Sequence, residues 1–276
     1  MFRDTPYRLS CTATPSPNDH MELGNQAEFL GVMTATEMLA MFFVHDGGDT
    51  SQWRLKGHGK TRFWEWMAKW SGCVRNPADL GFNGDAYILP GLQLHEHVIE
   101  SPEALPGQLF AGLAQTLTER RDAKRQSLHD RVKLAADLVN SHDRPAIVWC
   151  HLNDESKALA AAIPDAIEVT GSMSADEKER AIMAFTHGDK RVIVSKASIC
   201  GWGMNWQHCH DMVFAGLDDS FESYYQAVRR CFRFGQKHIV DVHLVSAESE
   251  GAVKANLERK QLQANDMADS MVVHMR

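Results

Sequence analysis

The sequence predicts an α/β protein whose C-terminal half is a parallel sheet with helices on both faces. Two observations carry that class. First, short apolar runs alternate with helical stretches: Ala146-Ile-Val-Trp-Cys150, Ile167-Glu-Val-Thr170, Val192 to Ser195, Met212 to Ala215 and Ile239 to Val245. Strands that are apolar at nearly every residue are buried on both sides, as parallel strands are when crossover helices cover them. Second, the stretches between them read as helices. Leu128, Val132, Ala135, Leu138 and Val139 make one apolar stripe, and Asp154 to Ile163 follows the first strand. Ser174-Ala-Asp-Glu177 has capping-box spacing and opens a helix that packs Ala181, Ile182 and Phe185. Ligands of such sheets collect at the carboxyl ends of strands. Here those ends carry Cys150-His151, Thr170-Gly171, Ser195-Lys196 and Ala215-Gly216.

The N-terminal part is less regular. Tyr7 to Asn18 predicts a short strand running into a Thr-rich turn that Pro15 and Pro17 punctuate. Met21 to Met41 has helical spacing, and its methionines suit core packing. His45 to Lys60 shifts to Gly, Asp, Thr and Ser and predicts a loop. Gly57-His-Gly-Lys-Thr61 lacks the GxxxxGK[ST] spacing and is rejected as a Walker A loop. Phe63 to Trp70 is an aromatic helix, with Trp66 and Trp70 four apart, which suits a packing face or a base-stacking platform. Ala86 to Leu89 and Leu94 to Ile99 predict strands, and Gln108 to Leu117 a helix. The mixed charges of Arg120 to Arg131 predict a solvated helix surface. The tail, Ala247 to Met267, reads as an amphipathic helix with a frayed end.

Composition sets bounds on function. A hydrophobic fraction of 44% and a charged fraction of 24% over 276 residues are those of a globular protein of one large or two ordinary domains. No run approaches a membrane span, and the opening Met1-Phe-Arg-Asp-Thr-Pro lacks the apolar core expected of a signal peptide. Six scattered cysteines without a CxxC pair fit a reducing, cytoplasmic setting and no metal. His208-Cys209-His210 and Cys150-His151 stand too close together to chelate one ion well. The net charge of −7 counts against a tight stand-alone DNA binder, although Arg120 to Lys133 and Arg229 to Lys237 are locally basic.

The densest chemistry lies between Arg191 and Gln236. A strand, the loop Gly201-Trp-Gly-Met-Asn205, a second strand and a helix delivering Gln226, Arg230 and Arg233 follow one another. On a helix, Arg230 and Arg233 project from one face. The pattern allows a nucleotide-phosphate site of backbone amides and guanidinium groups, or a solvated face with surface ion pairs.

These residues together resemble the C-terminal portion of superfamily 2 helicase-like ATPases, the Swi/Snf-type DNA translocases in particular. Gln226-Ala-Val-Arg-Arg-Cys-Phe-Arg-Phe-Gly-Gln236 is similar to motif VI, QxxxRxxRxGQ. Ser198 to Trp206, with Gly203 and Asn205, is similar to motif V, with Asp211 as the acidic residue beyond it. Val169 to Phe185 resembles the stretch before motif V, Ile147-Val-Trp-Cys-His motif IV, and Leu9-Ser-Cys-Thr-Ala-Thr-Pro15 with Asn18 motif III. The likeness covers 126–246 well and 5–35 in part. It implies a RecA-like second lobe at 126–276, the end of a first lobe at 1–35 in a mostly helical segment, and an inter-lobe insertion at 36–125. A phage or prophage source is part of the same expectation.

The resemblance also implies roles. Arg230 and Arg233 are the catalytic arginine fingers; Gly203, Asn205, Gln226, Arg230 and Arg233 meet ATP; Thr12 and Thr14 couple ATP state to lobe closure. Thr170, Ser195 and Lys196 lie near the nucleic-acid backbone, with double-stranded DNA the expected partner. Phosphoryl transfer needs a phosphate cradle, a Mg²⁺ ligand and a water-orienting residue. No GKT loop or Asp-Glu pair precedes Thr12. ATP and Mg²⁺ are therefore expected to need a P-loop lobe from elsewhere, and the chain alone to hydrolyse ATP negligibly. Two other classes remain open: a non-catalytic nucleic-acid or partner-binding remnant, and an α/β nucleotide-sugar transferase using Gly201 to Gly203 on its donor phosphate.

Overall fold

The computed structural model describes residues 4–46, 49–99, 127–201, 203–216, 220–247 and 251–275. The chain divides into two units, Met1–Ala86 with Glu258–Arg276, and Tyr87–Leu257. In the first unit, α1 (Leu23–Leu30) and α2 (Ala35–Phe42) replace the single helix expected over 21–41. Gly31 stops α1 in the left-handed region, at φ 76°, while its own N–H and that of Val32 bond the carbonyls of Glu28 and Ala27. Thr34 then caps α2: its hydroxyl accepts the Glu37 N–H at 3.2 Å, and the Glu37 carboxylate accepts the Thr34 N–H at 3.0 Å. Stop and start signals lie so close that the apolar periodicity runs across both.

The expected loop at 45–60 holds a hairpin instead, β1 (Phe43–Asp46) and β2 (Asp49–Leu55), with Phe43 opposite Leu55 and His45 opposite Trp53. Polar residues at alternate positions hid its two-residue period. α3 (Lys60–Ala68) buries Phe63, Trp64 and Met67 against Met38, Phe42 and Phe43, with Met267 and Met271 in the same core. Trp66 and Trp70 meet each other at 5.3 Å between ring centroids, and Trp66 meets Phe42 at 5.2 Å, so this aromatic helix packs a core. Thr12 and Thr14 belong to this unit and form a hydroxyl-capped turn, Thr14 N–H to Thr12 Oγ1 at 3.0 Å, with no strand before it among the described residues.

The second unit carries β3 (Leu92–Ile99), α4 (Leu128–Asn140), β4 (Ala146–Cys150), α5 (Asn153–Ala162), β5 (Ala166–Val169), α6 (Ala175–His187), β6 (Val192–Lys196), the single turn α7 (Ala197–Cys200), β7 (Asp211–Phe214), α8 (Phe221–Val228) and β8 (Val240–Ala247). A last helix, α9 (Gly251–Met275), runs on past the point where fraying was expected and buries Met271 and Val272. The expected strand at 86–89 is a 3₁₀ turn, Asp85–Tyr87, because the Asn83 side chain accepts the Asp85 N–H at 2.8 Å and sets a turn there. The expected helix at 108–117 lies outside the described residues.

The six strands β3 to β8 form one parallel sheet in the order β3-β8-β7-β4-β6-β5. Alternation along β4 separates its faces. Ala146, Val148 and Cys150 share a core with Val132, Ala135 and Val139 of α4 and Leu159 of α5. Trp149 points the other way, 6.3 Å from Trp206 and 6.4 Å from Phe214 between centroids. Phe185 of α6 meets Trp206 at 5.3 Å, and Tyr224 of α8 meets Phe214 at 5.2 Å. α4 and α5 therefore cover one face and α6 and α8 the other, the RecA-like α/β arrangement. The chain crosses one face from β4 out to β5 and the opposite face on its way back, as right-handed crossovers require.

Beside the carboxyl ends of β4 and β7 lies an ion pair with no exposure at all, Arg131 with Glu155. Arg131 Nη1 donates to both the Glu155 carboxylate and the Ala215 carbonyl, and its Nε donates to Ser127 Oγ at 2.9 Å. The other Glu155 oxygen accepts the His151 N–H at 2.6 Å and the Leu152 N–H at 3.3 Å. A side chain on Gly216 would lie 2.8 Å from the guanidinium and 2.9 Å from the carboxylate, so only glycine leaves the pair room. Charges removed from water hold a fold only when fully bonded, and one left alone is severely destabilising. Arg131→Ala or Glu155→Ala should each lower stability by roughly 3–5 kcal/mol in urea unfolding followed by circular dichroism. The double replacement Arg131→Met with Glu155→Leu should cost far less than the two single losses together.

A second polar array joins β3 to β8. His95 and His243 face each other across the pair, with ring centroids 4.7 Å apart. His95 Nε2 reaches Asp241 at 2.7 Å, and His97 Nε2 lies 2.9 Å from His243 Nδ1. Burial lowers the His97 and His243 imidazoles below their ordinary value of 6.5, and neighbouring histidines lower them further. These rings bind protons less readily folded than unfolded. Stability therefore rises with pH across the window from their depressed values up to about 6.5, and is lost on acidification below it. The urea midpoint should fall between about pH 7 and about pH 5, and His243→Asn should flatten that slope.

Candidate functional site

The arginines anticipated on one helical face are assembled differently. α8 ends at Val228, and Arg230 and Arg233 sit in the consecutive tight turns that follow it. These turns are closed by Arg230 N–H to Ala227 O at 3.1 Å, Arg233 N–H to Cys231 O at 3.0 Å and Gln236 N–H to Arg233 O at 3.0 Å. The convergence comes from a shared acceptor. Arg230 Nη1 donates to the Met204 carbonyl at 2.8 Å, and Arg233 Nη1 to the same oxygen at 3.3 Å. Gln226 steadies the first: Arg230 Nε donates to its backbone carbonyl at 2.8 Å and Nη2 to its side-chain oxygen at 3.3 Å. In return, the Trp206 N–H donates to the Arg230 carbonyl at 3.0 Å.

Arg230 is only 7% exposed, yet among the described residues neither guanidinium has a carboxylate within ion-pair distance. Burial lowers the Arg230 pKa, and the adjacent Arg233 charge lowers it further. A guanidinium stays protonated in spite of that, so two cations are held together without a counter-ion. An anion with several oxygens would relieve both the desolvation and the repulsion. The surface ion pairs that a solvated face would make are not formed by these two arginines among the described residues.

The loop beneath the arginines runs from Gly203 to Gln207. Gly203 adopts φ 76°, where side chains are strained, although a Cβ there would touch nothing in the described structure. Asn205 is exposed. Trp206 anchors the loop to the sheet face: its ring is buried against Phe185, and its Nε1 donates to Thr186 Oγ1 at 2.9 Å. Gln236, the last residue of the motif VI pattern, had no role assigned from sequence. Its buried amide donates to the carbonyls of Gln207, Cys209 and Cys231 at 3.2, 3.0 and 3.2 Å, and its oxygen accepts the N–H groups of Lys237 and His238 at 2.9 Å. The sequence signal for this staple is its place at the end of the RxGQ pattern.

Asp211 lies at the opposite, amino-terminal edge of the sheet, in a bidentate pair with Arg144 at 2.6 and 2.7 Å. Burial pushes its carboxyl up, but the Arg144 bonds and charge outweigh that and hold it below the usual range. It is a structural partner of β7, distant in role from the arginines. Among the described residues, no cluster of His, Cys, Asp and Glu could hold a metal ion. Cys209 instead points its thiol at the carbonyls of Pro145 and Asp211.

The residues expected near a nucleic-acid backbone come together at the carboxyl ends of β5 and β6. Ser195 is buried and donates to the Val169 carbonyl at 2.9 Å, so it fastens two strands. Thr170 Oγ1 lies 3.1 Å from Ser172 Oγ. Lys196 lines a cavity of about 260 Å³ that opens over the ends of β4, β6 and β7. Burial pushes the Cys150 thiol and the Tyr224 hydroxyl in its wall each up to about 12, so both are neutral and neither is a ready nucleophile. Thr12 and Thr14 belong to the other unit, so the second unit by itself does not include them.

Comparisons with known proteins add a family likeness. No curated protein matches the chain in sequence. The chain resembles the solved C-terminal part of the Fun30 ATPase domain at 12% identity and TM-score 0.42, over 54% of this chain and 55% of that one. It resembles the RNA-helicase Prp28 from Chaetomium thermophilum, bound to ADP, at 14% identity and TM-score 0.46, over 64% of this chain and 38% of that one. It also resembles the C-terminal domain of the DEAD-box protein Dbp5 at 13% identity and TM-score 0.43, over 53% of this chain and 90% of that one. The chain thus spans little more than half of the Fun30 structure and less than two fifths of the Prp28 structure. In sequence, residues 130–235 match the model of the helicase conserved C-terminal domain, a stretch that runs from α4 across the sheet into the arginine turn.

Proposed function

We propose that this chain supplies the second RecA-like lobe of an ATP-dependent DNA translocase or helicase of the Swi/Snf type. The observation that carries the proposal is the pair of guanidinium groups of Arg230 and Arg233, gathered on the Met204 carbonyl with no carboxylate beside them among the described residues. The match of residues 130–235 to the helicase C-terminal domain supports it.

In this function the phosphate cradle and the Mg²⁺ ligand belong to a P-loop lobe that closes on this one. ATP brings the bond to be cut and the negative charge that grows as it breaks. Arg233 and Arg230 offset that charge, and because they are already positioned, no reorganisation is needed at the moment of reaction. Gln226 fixes the orientation of Arg230, and the Gly203–Asn205 loop supplies the carbonyl on which both arginines turn. Thr12 and Thr14 couple the nucleotide state to lobe closure. Lys196 meets the DNA backbone, Thr170 adds a hydroxyl near it, and Ser195 holds the ends of β5 and β6 in register.

DNA-stimulated ATP hydrolysis tests this directly. The chain alone should show none above background, and addition of a P-loop lobe should restore it. Arg233→Ala should then lower the reconstituted rate by roughly a thousandfold or more, as loss of an arginine finger does. A reconstituted rate indifferent to Arg233→Ala would overturn the proposal, and hydrolysis by the chain alone would overturn the division of the site between lobes.

A further inference from the structure

The turn that carries the two arginines also carries a ring pair to which no role has been given. Phe234 follows Arg233 directly, and its ring stacks on Tyr87 with centroids 4.9 Å apart and planes 28° from parallel. Both residues belong to the second unit. Phe234 is 58% exposed and Tyr87 47%, so the stack offers open ring surface to a ligand. Among the described residues, no other ring pair has both members exposed. The rest fill cores or lie partly covered, whereas this one stands beside two cations that have no counter-ion.

One loop sets both features. The Met204 carbonyl gathers the guanidinium groups of Arg230 and Arg233, and three residues on, Gln207 Nε2 donates to the Phe234 carbonyl. Gly235 follows at φ 92°, and a side chain there would stand 2.9 Å from the same Gln207 nitrogen, so the backbone is held closely where the ring departs. Consecutive Cα atoms are about 3.8 Å apart. Arg233 and Phe234 therefore send a cation and a ring from neighbouring points of one fixed turn.

A ligand that satisfies both features has a compact multiple charge at one end and a flat π face at the other. Two guanidinium groups converging on one oxygen suit a group with several charged oxygens, whereas a phosphate within a nucleic-acid strand brings one charge per nucleotide. A bare polyphosphate would meet the arginines and leave the rings in water. An apolar protein surface would cover the rings and bring no charge to the cations. A nucleoside polyphosphate supplies both, because every base has a π face that stacks on an aromatic ring.

We infer that Phe234 and Tyr87 form a platform for the base of a nucleoside polyphosphate whose phosphates lie on Arg230 and Arg233. The inference rests on the phosphate role proposed above for the arginines, and it assigns the base to this chain. Titration calorimetry of the full chain with ATP and with ribose 5-triphosphate, which lacks only the base, separates the two ideas. ATP should bind about tenfold more tightly, as one base stacked on an aromatic ring provides. The fluorescence of 2-aminopurine riboside triphosphate should be quenched on binding. Phe234→Leu should remove the quenching and lower the affinity for ATP to that for ribose 5-triphosphate; Tyr87→Leu carries the same expectation should the first variant fail to fold.

Equal affinities for the two ligands, or a Phe234→Leu variant that still prefers ATP, would overturn the platform while leaving the arginines as a phosphate site. Quenching that survives Arg233→Ala would put the nucleotide elsewhere and overturn the assignment to this turn. Binding of neither ligand would overturn the phosphate role, and the platform with it.

Discussion

The second unit depends on one buried ion pair. Arg131 and Glu155 stand on different helices, and between them they hold four segments: the start of α4, the first turn of α5, the chain leaving β4 and the end of β7. The carboxyl edge of the sheet lies there. Hydrophobic burial is non-directional and would tolerate small shifts of those segments. A saturated set of charge-assisted hydrogen bonds tolerates far less, because any displacement exposes a desolvated charge. The strand ends that carry Lys196 and Trp149 are therefore set by polar geometry laid over an apolar core.

The arginine turn follows the same logic with backbone groups in place of a counter-ion. Two cations held together without a counter-ion among the described residues have to be positioned by something uncharged. The Met204 carbonyl does so for both arginines, and Gln236 fastens the turn to the approach of β7 through the carbonyls of Gln207 and Cys209. Carbonyl dipoles orient a guanidinium while leaving most of its charge unspent. Positioning and affinity are thereby assigned to different atoms.

Much of this was legible in the sequence. The buried strands, the Ser174 capping box and the clustering of Arg230 with Arg233 follow from apolar runs, cap spacing and motif order. The strand ends carrying Lys196 and Gly216 were likewise in view, because chain direction in a parallel sheet fixes which residues share an edge. Other features were illegible for physical reasons. Arg131 ends the mixed-charge stretch 120–131 that reads as a solvated surface, of which 120–126 lie outside the described residues, yet it is buried, because its pair with Glu155, 24 residues on, forms only through tertiary contact. The hairpin at 43–55 was hidden by polar residues at alternate positions of its sequence. Gly31 and Thr34 broke a helix whose apolar period continued across the break. The arginines were expected on a helix, but the helix ended first, and a shared acceptor did what helical phase was expected to do.

The order of the strands also bears on how the chain is made. Leu92 of β3 pairs with Val240 of β8, almost 150 residues later, and the first unit is built from both Met1–Ala86 and Glu258–Arg276. A ribosome delivers residues in sequence at roughly 5–20 per second, so β3 waits several seconds or more for the strand that satisfies its backbone. The core around Phe63 likewise waits for Met267 and Met271, about two hundred residues later. Strands β4 to β7 can assemble while both flanking pieces are still incomplete, since their partners lie close in sequence. The nascent protein thus spends its synthesis with an unpaired parallel strand and an open methionine-aromatic cluster, the two surfaces on which chaperones act and through which neighbouring polypeptides misassociate.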